Sequence, residues 1–112
     1  MQKRTKALQF DACTRQIIKE RDRYCIFCRI GYHMDATNDL AYQIQQIMHI
    51  VPRSQGGLGV EQNGALGCQH HHSMLDNGND GCREEMMQYI EMYMKDKYPG
   101  WNRELLIYKK WP

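Results

Sequence analysis

Alternation of apolar and polar side chains predicts one helix and one strand in the N-terminal half of the chain. Residues 11–23 combine Ile17 and Ile18 with a dense set of charges at a spacing typical of an amphipathic helix. Residues 41–51 place apolar side chains at alternate positions and become rich in β-branched residues toward their end, which predicts a strand. Pro52 is expected to end this strand, because proline cannot donate a backbone hydrogen bond.

The C-terminal half has patterns that predict a further short strand and two helices. A second short strand is expected near Val60, after a glycine-rich loop. Residues 68–75 contain no proline or glycine and predict about two helical turns, which the turn residues 76–81 end. A longer amphipathic helix is predicted over residues 82–97. The mixture of helices and short strands indicates an α+β fold.

Length and composition limit the chain to one ordinary globular domain. The 112 residues are 42% hydrophobic and 25% charged, with a net charge of +2, and we expect a single domain over residues 1–112. This composition argues against disordered, collagen-like and membrane-spanning chains. The segment after the basic N-terminus is polar, which argues against a secretory signal, so we expect a cytoplasmic protein.

Two short motifs supply candidate metal ligands. Cys25 and Cys28 form a Cys-x-x-Cys pair, and Cys68 and His71 form a Cys-x-x-His pair 40 positions further on. Thiolates and an imidazole are the ligands that Zn²⁺ prefers in a closed tetrahedral site, so we predict a structural zinc ion. His70 is an alternative to His71 as the fourth ligand.

The cysteines also allow other interpretations. Cys25 and Cys28 fit a redox pair of a thiol-disulfide oxidoreductase, but no βαβ pattern typical of such a fold is present. Cys13 and Cys82 have no partner at ligand spacing, and we expect them to be structural thiols. The metal interpretation is therefore favoured over the redox one.

A longer motif resembles a known family. Residues 48–57 read Met-His-Ile-Val-Pro-Arg-Ser-Gln-Gly-Gly, and they are followed by Asn63 and by Cys-Gln-His-His-His at residues 68–72. This order of a histidine, a proline, a Gly-Gly loop, an asparagine and a Cys-x-x-His-His helix start resembles the HNH endonucleases, above all the small phage and prophage members. The matching stretch runs from Cys25 to about Asp76.

The resemblance implies a fold in which two strands and a short helix surround a catalytic ion. We accordingly expect an α+β protein with a ββα-metal (HNH) core at about residues 25–80, braced by the structural zinc knuckle. Helices are expected to flank this core on both sides, with a C-terminal helical extension over about residues 82–112.

The resemblance also implies a function and roles for single residues. The function is a metal-dependent DNA endonuclease, in which His49 matches the general base and Asn63 the residue that holds the loop behind it. His72 and Asp76 match the ligands of one catalytic divalent ion, which is Mg²⁺, Mn²⁺, Ni²⁺ or Zn²⁺. Asp76 is equally well interpreted as an ordinary turn residue before Asn-Gly.

DNA is the expected partner. Arg53 and the basic segments Lys3–Lys6 and Lys109–Lys110 are predicted to contact phosphates, which gives affinity without sequence information. By analogy with the family, the chain is expected to act in a bacterial host cell, to have a phage or prophage origin and to work beside packaging or terminase machinery. No membrane partner is expected.

Two positions depart from the family pattern. Many members have an acid or a histidine as a metal ligand directly before the general base, where this chain has Met48, and a thioether is a poor ligand for Mg²⁺ or Mn²⁺. Gln46, Asp80 or water are candidates to complete the shell. The alternative function is therefore a zinc-stapled DNA-binding or packaging-accessory module that cleaves weakly or not at all. The second departure, His71 in place of a cysteine, is compatible with zinc.

Overall fold

The computed structural model describes residues 7–36, 39–81 and 83–108, and these form an α+β fold. The α+β class predicted from the sequence is thus confirmed. None of the helices in these ranges is long and apolar enough to cross a membrane. The regular elements of the described residues are α1 Ala12–Asp22, α2 Leu40–Gln43, β1 Gln45–His49, β2 Gly64–Cys68, α3 Gln69–Asp76 and α4 Arg83–Lys97.

The two strands form one antiparallel sheet. Gln45 pairs with Cys68 and His49 pairs with Gly64, so each strand runs along the whole length of the other. The prediction of a second strand near Val60 is wrong, because the strand lies four residues further on. Its sequence, Gly-Ala-Leu-Gly-Cys, has no β-branched residue and two glycines, so its propensity for a strand is low.

Burial explains why this glycine-rich segment is nevertheless a strand. Every residue of β2 is buried. A Cβ atom at Gly67 would collide with the side chain of Met48, which lies on the same face of the sheet. Close packing across the sheet therefore requires glycine at a position where local propensity disfavours it.

The predicted N-terminal helix is confirmed, whereas the predicted first strand is too long. Helix α1 begins after Asp11, whose side chain accepts a hydrogen bond from the Thr14 backbone N–H at 2.7 Å. The predicted strand over residues 41–51 is partly wrong, because residues 40–43 form the helical turn α2. This turn places the Tyr42 ring edge-on to His70, with ring centroids 5.3 Å apart.

The two later helices pack on the sheet at about the predicted positions. Helix α3 starts directly after Cys68, and α4 ends at Lys97 before Pro99 and Gly100. Cys82, the predicted start of α4 and a predicted structural thiol, lies outside the described residues. One face of α4 is buried in the main core, through Met86, Met87, Ile90 and Met94.

A buried acidic side chain ties α1 to β2 and α4. Asp22 is fully buried, and its two carboxylate oxygens accept hydrogen bonds from the Arg21 guanidinium at 2.7 and 2.8 Å. The same carboxylate accepts from the Leu66 backbone N–H at 2.9 Å and from the Tyr93 hydroxyl at 2.6 Å. Because a buried charge must be paired, this network fixes the position of α1 on the sheet.

Candidate metal centre and the neighbouring histidines

Four predicted zinc ligands converge at the start of α3. Cys25 and Cys28 come from the turn after α1, and Cys68 and His71 come from the junction of β2 and α3. Their ligand atoms all lie within 4.8 Å of one another. Cys25, Cys68 and His71 are fully buried, and Cys28 is partly buried. These residues form a group that can hold a metal ion such as Zn²⁺.

Three of the separations between the ligand atoms match the edges of a tetrahedron, and a fourth is shorter. With Zn–S near 2.3 Å and Zn–N near 2.0–2.1 Å, a tetrahedral site has S···S edges of about 3.8 Å and S···N edges of about 3.6 Å. The Cys28 and Cys68 sulfurs are 3.7 Å apart. The His71 Nδ1 atom lies 3.5 Å from the Cys25 sulfur and 3.6 Å from the Cys28 sulfur. It lies 3.1 Å from the Cys68 sulfur, somewhat closer than the ideal edge.

Surrounding groups orient these ligands. The other ring nitrogen of His71, Nε2, donates to the backbone carbonyl of Tyr32, which leaves Nδ1 as the free lone pair toward the sulfurs. The backbone N–H groups of Cys28 and His71 each point at the sulfur three residues earlier, at 3.4 Å. Burial and the neighbouring Cys25 and Cys68 thiols raise the pKa of Cys28, so a cation is needed to hold the group as thiolates.

The structure selects between the two candidate histidines. His70 Nε2 lies 3.2 Å from the backbone carbonyl oxygen of His33 and 3.4 Å from Asp35, on the outer side of α3. His70 is thus not part of the four-residue group, and His71 is. Cys13 is exposed on α1, away from this group.

His49, the predicted general base, is held by the segment before α1. Its ring stacks on Phe10 with centroids 4.1 Å apart. Its Nε2 atom lies 3.0 Å from the backbone carbonyl oxygen of Leu8, which can only accept a hydrogen bond. Nε2 is accordingly the protonated nitrogen of the neutral ring, and Nδ1 carries the lone pair that can accept a proton.

The surroundings of His49 favour its neutral form. Burial lowers the pKa of this imidazole most, and the Leu8 carbonyl partly opposes the effect. The positive charges of Arg53 and Arg15 and the nearby His72 lower the pKa further. His49 is therefore ready to accept a proton near neutral pH.

Asn63 clamps the loop that follows β1. It is fully buried, and its side-chain oxygen accepts from the Val51 backbone N–H at 2.8 Å. Its side-chain nitrogen donates to the carbonyls of Val51 at 3.1 Å and Leu58 at 2.8 Å. A Cβ atom at Gly57 would collide with the Val51 carbonyl, so glycine is needed at this position for the close approach. The loop directly after His49 is thereby fixed.

His72 and Asp76 form the second predicted pair. The His72 Nδ1 atom lies 2.7 Å from the Gln46 side-chain oxygen, and Nε2 lies 3.4 Å from an Asp76 carboxylate oxygen. Gln46 thus contacts the ring nitrogen that faces away from Asp76, where it can orient the imidazole. The Asp76 side chain is 69% exposed and that of His72 is 25% exposed. Met48 is fully buried in the core.

Only one of the predicted DNA contacts, Arg53, lies among the described residues. Arg53 is exposed in the turn after Pro52, and its positive charge lowers the pKa of His49. Lys3–Lys6 and Lys109–Lys110 lie outside the described residues. The sequence did not indicate that Leu8 and Phe10 contact His49, because no spacing rule connects positions about 40 residues apart.

Comparisons of the chain with models of known protein families, with curated proteins and with solved structures found no match.

Proposed function

We propose that the protein is a metal-dependent DNA endonuclease of the HNH type, with His49 as its general base. The observation that supports this most is the order of elements. A strand ending in His49 pairs with a strand that follows Asn63, and a helix carrying His72 comes next, as the HNH resemblance implies. The metal-binding group beside this hairpin is the second support.

The proposed reaction follows from the protonation states of the side chains. His49 Nδ1 takes a proton from a water molecule, and the resulting hydroxide attacks the phosphorus of a backbone phosphodiester. The bond from phosphorus to the 3′ oxygen then breaks, the 3′ oxygen takes a proton from solvent water, and His49 returns its proton to the solvent. His72 and Asp76 would hold a divalent ion, which would supply Lewis-acid stabilisation of the phosphoryl charge and of the departing oxygen. Asn63 holds the loop behind His49 and takes no part in proton transfer.

The ion in the Cys25–Cys28–Cys68–His71 group is proposed to be a structural Zn²⁺. All four positions of a tetrahedral shell are filled by protein atoms, and such closed sites are typical of structural zinc. This ion would link the turn after α1 to the start of α3, and it would not touch the substrate.

Nicking of supercoiled plasmid tests the proposal. Purified protein should relax the plasmid with at least one of Mg²⁺, Mn²⁺, Ni²⁺ or Zn²⁺, and His49→Ala should reduce the rate by about 10²-fold or more. His33→Asn is the matched control: this exposed histidine has a positive φ of 42°, which asparagine tolerates, and its nicking rate should equal that of the wild type. Equal rates for wild type and His49→Ala would refute the assignment of the base.

A second function is favoured by one observation, the burial of Met48. Because this side chain is fully buried in the core, the position that precedes the base offers no ligand to a catalytic ion. The protein would then bind DNA as a zinc-stapled module with little or no cleavage. Retained gel shift of a DNA duplex without nicking under any of the four ions would favour this function over the first.

A further inference from the structure

A groove on one side of the sheet is lined by three basic residues of α1 and its C-cap. Arg15, Lys19 and Arg23 form one wall, and residues 45–47 of β1 form the other. The groove has a volume of about 460 Å³, and none of its lining residues is acidic. It therefore carries a local excess of positive charge, although the net charge of the whole chain is only +2.

The three basic residues are arranged in one line along the helix. Arg15 and Lys19 are four residues apart on one helical face, which places their side chains about 6 Å apart, and Arg23 follows at the C-cap, where its φ of 69° ends the helix. All three are exposed. Like charges at this spacing repel, so the row costs the helix some stability unless an anion binds to it.

The fold itself does not neutralise this row. Among the residues that the structure describes, the ion pairs are Arg21 with Asp22 and two histidine–aspartate pairs, and none involves the row. Lys19 and Arg23 lie at the C-terminal end of α1, where cations are favourable, but Arg15 lies in the first turn, where they are not. Helix energetics thus explain Lys19 and Arg23 but not Arg15, whose side-chain hydrogen bond goes to a backbone carbonyl and, within the described residues, leaves its charge unpaired by an acid.

The groove leads to the proposed catalytic residues. Gln46, on the strand wall, contacts the His72 ring at 2.7 Å. Arg15 donates through Nε to the Phe10 carbonyl at 3.2 Å, and Phe10 stacks on His49. An extended anion lying in the groove would therefore approach both histidines.

We propose that this groove binds the phosphate backbone of duplex DNA and guides one strand to His49 and His72. The identity of the ligand rests on the proposed function, whereas the position of the binding surface rests on the row of charges. Cationic side chains in a line contact successive phosphates and release their counterions. The exposed Gln45 amide of the strand wall is suited to contact sugar and phosphate oxygens as well.

Fluorescence anisotropy with a labelled 20-base-pair duplex tests this surface, on the full chain with no divalent ion added. The groove variant combines Arg15→Gln, Lys19→Gln and Arg23→Gln. We expect its slope of log K against log salt concentration to fall by about 2 to 3, since each lost phosphate contact on B-DNA removes about 0.9. Its affinity near 0.1 M salt should fall by about tenfold or more.

A matched variant controls for net charge. It removes three basic side chains from the C-terminal half of the chain, through Lys95→Gln, Lys97→Gln and Arg103→Gln. The control should keep a salt slope within about 1 of the wild-type value, because it loses charge without losing the groove. Equal losses of affinity and of salt slope in the two triple variants would overturn the proposal. A salt slope in the groove variant that equals the wild-type slope would overturn it as well.

The outcomes separate this proposal from the nuclease proposal. Binding that depends on the groove without plasmid nicking supports the groove and refutes the nuclease. Nicking by wild type together with unimpaired binding by the groove variant supports the nuclease and refutes the groove. Tighter binding of a single strand than of the duplex also refutes the groove as stated. If the groove triple variant melts at a lower temperature, the three single variants replace it, and each should lower the slope by about 1.

Discussion

Replacing Cys68 by serine tests the metal centre with little other change to the fold. Cys68 is fully buried, and it is also the N-cap of α3, where its sulfur accepts the His71 backbone N–H. Serine is one of the preferred N-cap residues and is similar in size to cysteine. Cys68→Ser therefore keeps the helix start and removes one of the four metal ligands, so that any large loss of stability reports on the metal.

The expected loss is large relative to the stability of a chain of this size. A domain of this length is stable by about 5–15 kcal/mol, and a metal present at about 1,000 times its Kd contributes about 4 kcal/mol of that. With an unfolding entropy of about 2.1 cal/mol/K per residue, each kcal/mol corresponds to about 4 °C in Tm for this chain. An empty site should thus lower the Tm by about 15 °C.

Metal content by mass spectrometry and thermal melting measure the two effects together. Wild-type protein should carry one zinc ion per chain in the four-residue group. Its Tm should fall by about 15 °C on treatment with a strong chelator, and the Tm of Cys68→Ser should be lower by the same amount without chelator. Cys13→Ser is the control, because Cys13 is exposed and outside the metal group, and its Tm should stay within about 2 °C. Wild-type protein that binds no metal after zinc addition, or a Cys68→Ser variant with unchanged Tm, would refute the reasoning.

Four further predictions concern other parts of the molecule. Asp22→Ala should lower the free energy of unfolding in urea by about 3–5 kcal/mol, because it leaves a guanidinium without its buried partner; a loss below 1 kcal/mol would contradict this. Gly67→Ala should cost about 1–3 kcal/mol by overpacking, and the double variant with Met48→Ala should lose less than the sum of the single variants. Phe10→Ala should raise the pKa of His49 in NMR titrations, because the substitution exposes the imidazole ring. The acid limb of the pH profile of nicking should then move to higher pH. An unchanged pKa would contradict the role of burial. Since folding favours the neutral ring, the contribution of His49 to stability should be lost as pH falls below the ordinary pKa of histidine.

Local signals in the sequence were sufficient for α1, α3 and α4 and for the three cysteine ligands, whereas the choice between His70 and His71 needed the structure. Helix α1 has an aspartate cap and a charged outer face, and α4 ends before Pro99 and Gly100, so both boundaries are encoded within a few residues. The Cys-x-x-Cys and Cys-x-x-His motifs are equally local. Their three-residue spacing brings the ligand atoms of the two residues in each motif to one side of a turn. Their chemistry then implies that the two pairs meet, although 40 positions separate them.

Features that depend on contacts between distant segments were not predicted. Strand β2 has the composition of a loop and becomes a strand because α1 and the core bury it on all sides. Alternating apolar residues around Tyr42 predicted a strand, but the structure there is a helical turn that contacts His70. The stacking of Phe10 on His49 involves common residue types at arbitrary spacing, and only the folded structure reveals it.

The metal group and the Asn63 clamp act on opposite ends of the same two strands. Cys68 pairs with Gln45 at one end of the sheet, and Gly64, directly after Asn63, pairs with His49 at the other. Two glycines in β2 leave the register of the strands weakly specified by the strands themselves, and a slip of one residue would turn His49 to the other face. Three side-chain hydrogen bonds remove this freedom at one end, and a metal ion bound by the four-residue group would remove it at the other. These two anchors, neither of which touches the His49 ring, would therefore fix the strand register that places His49, while Phe10 and the Leu8 carbonyl orient the ring itself.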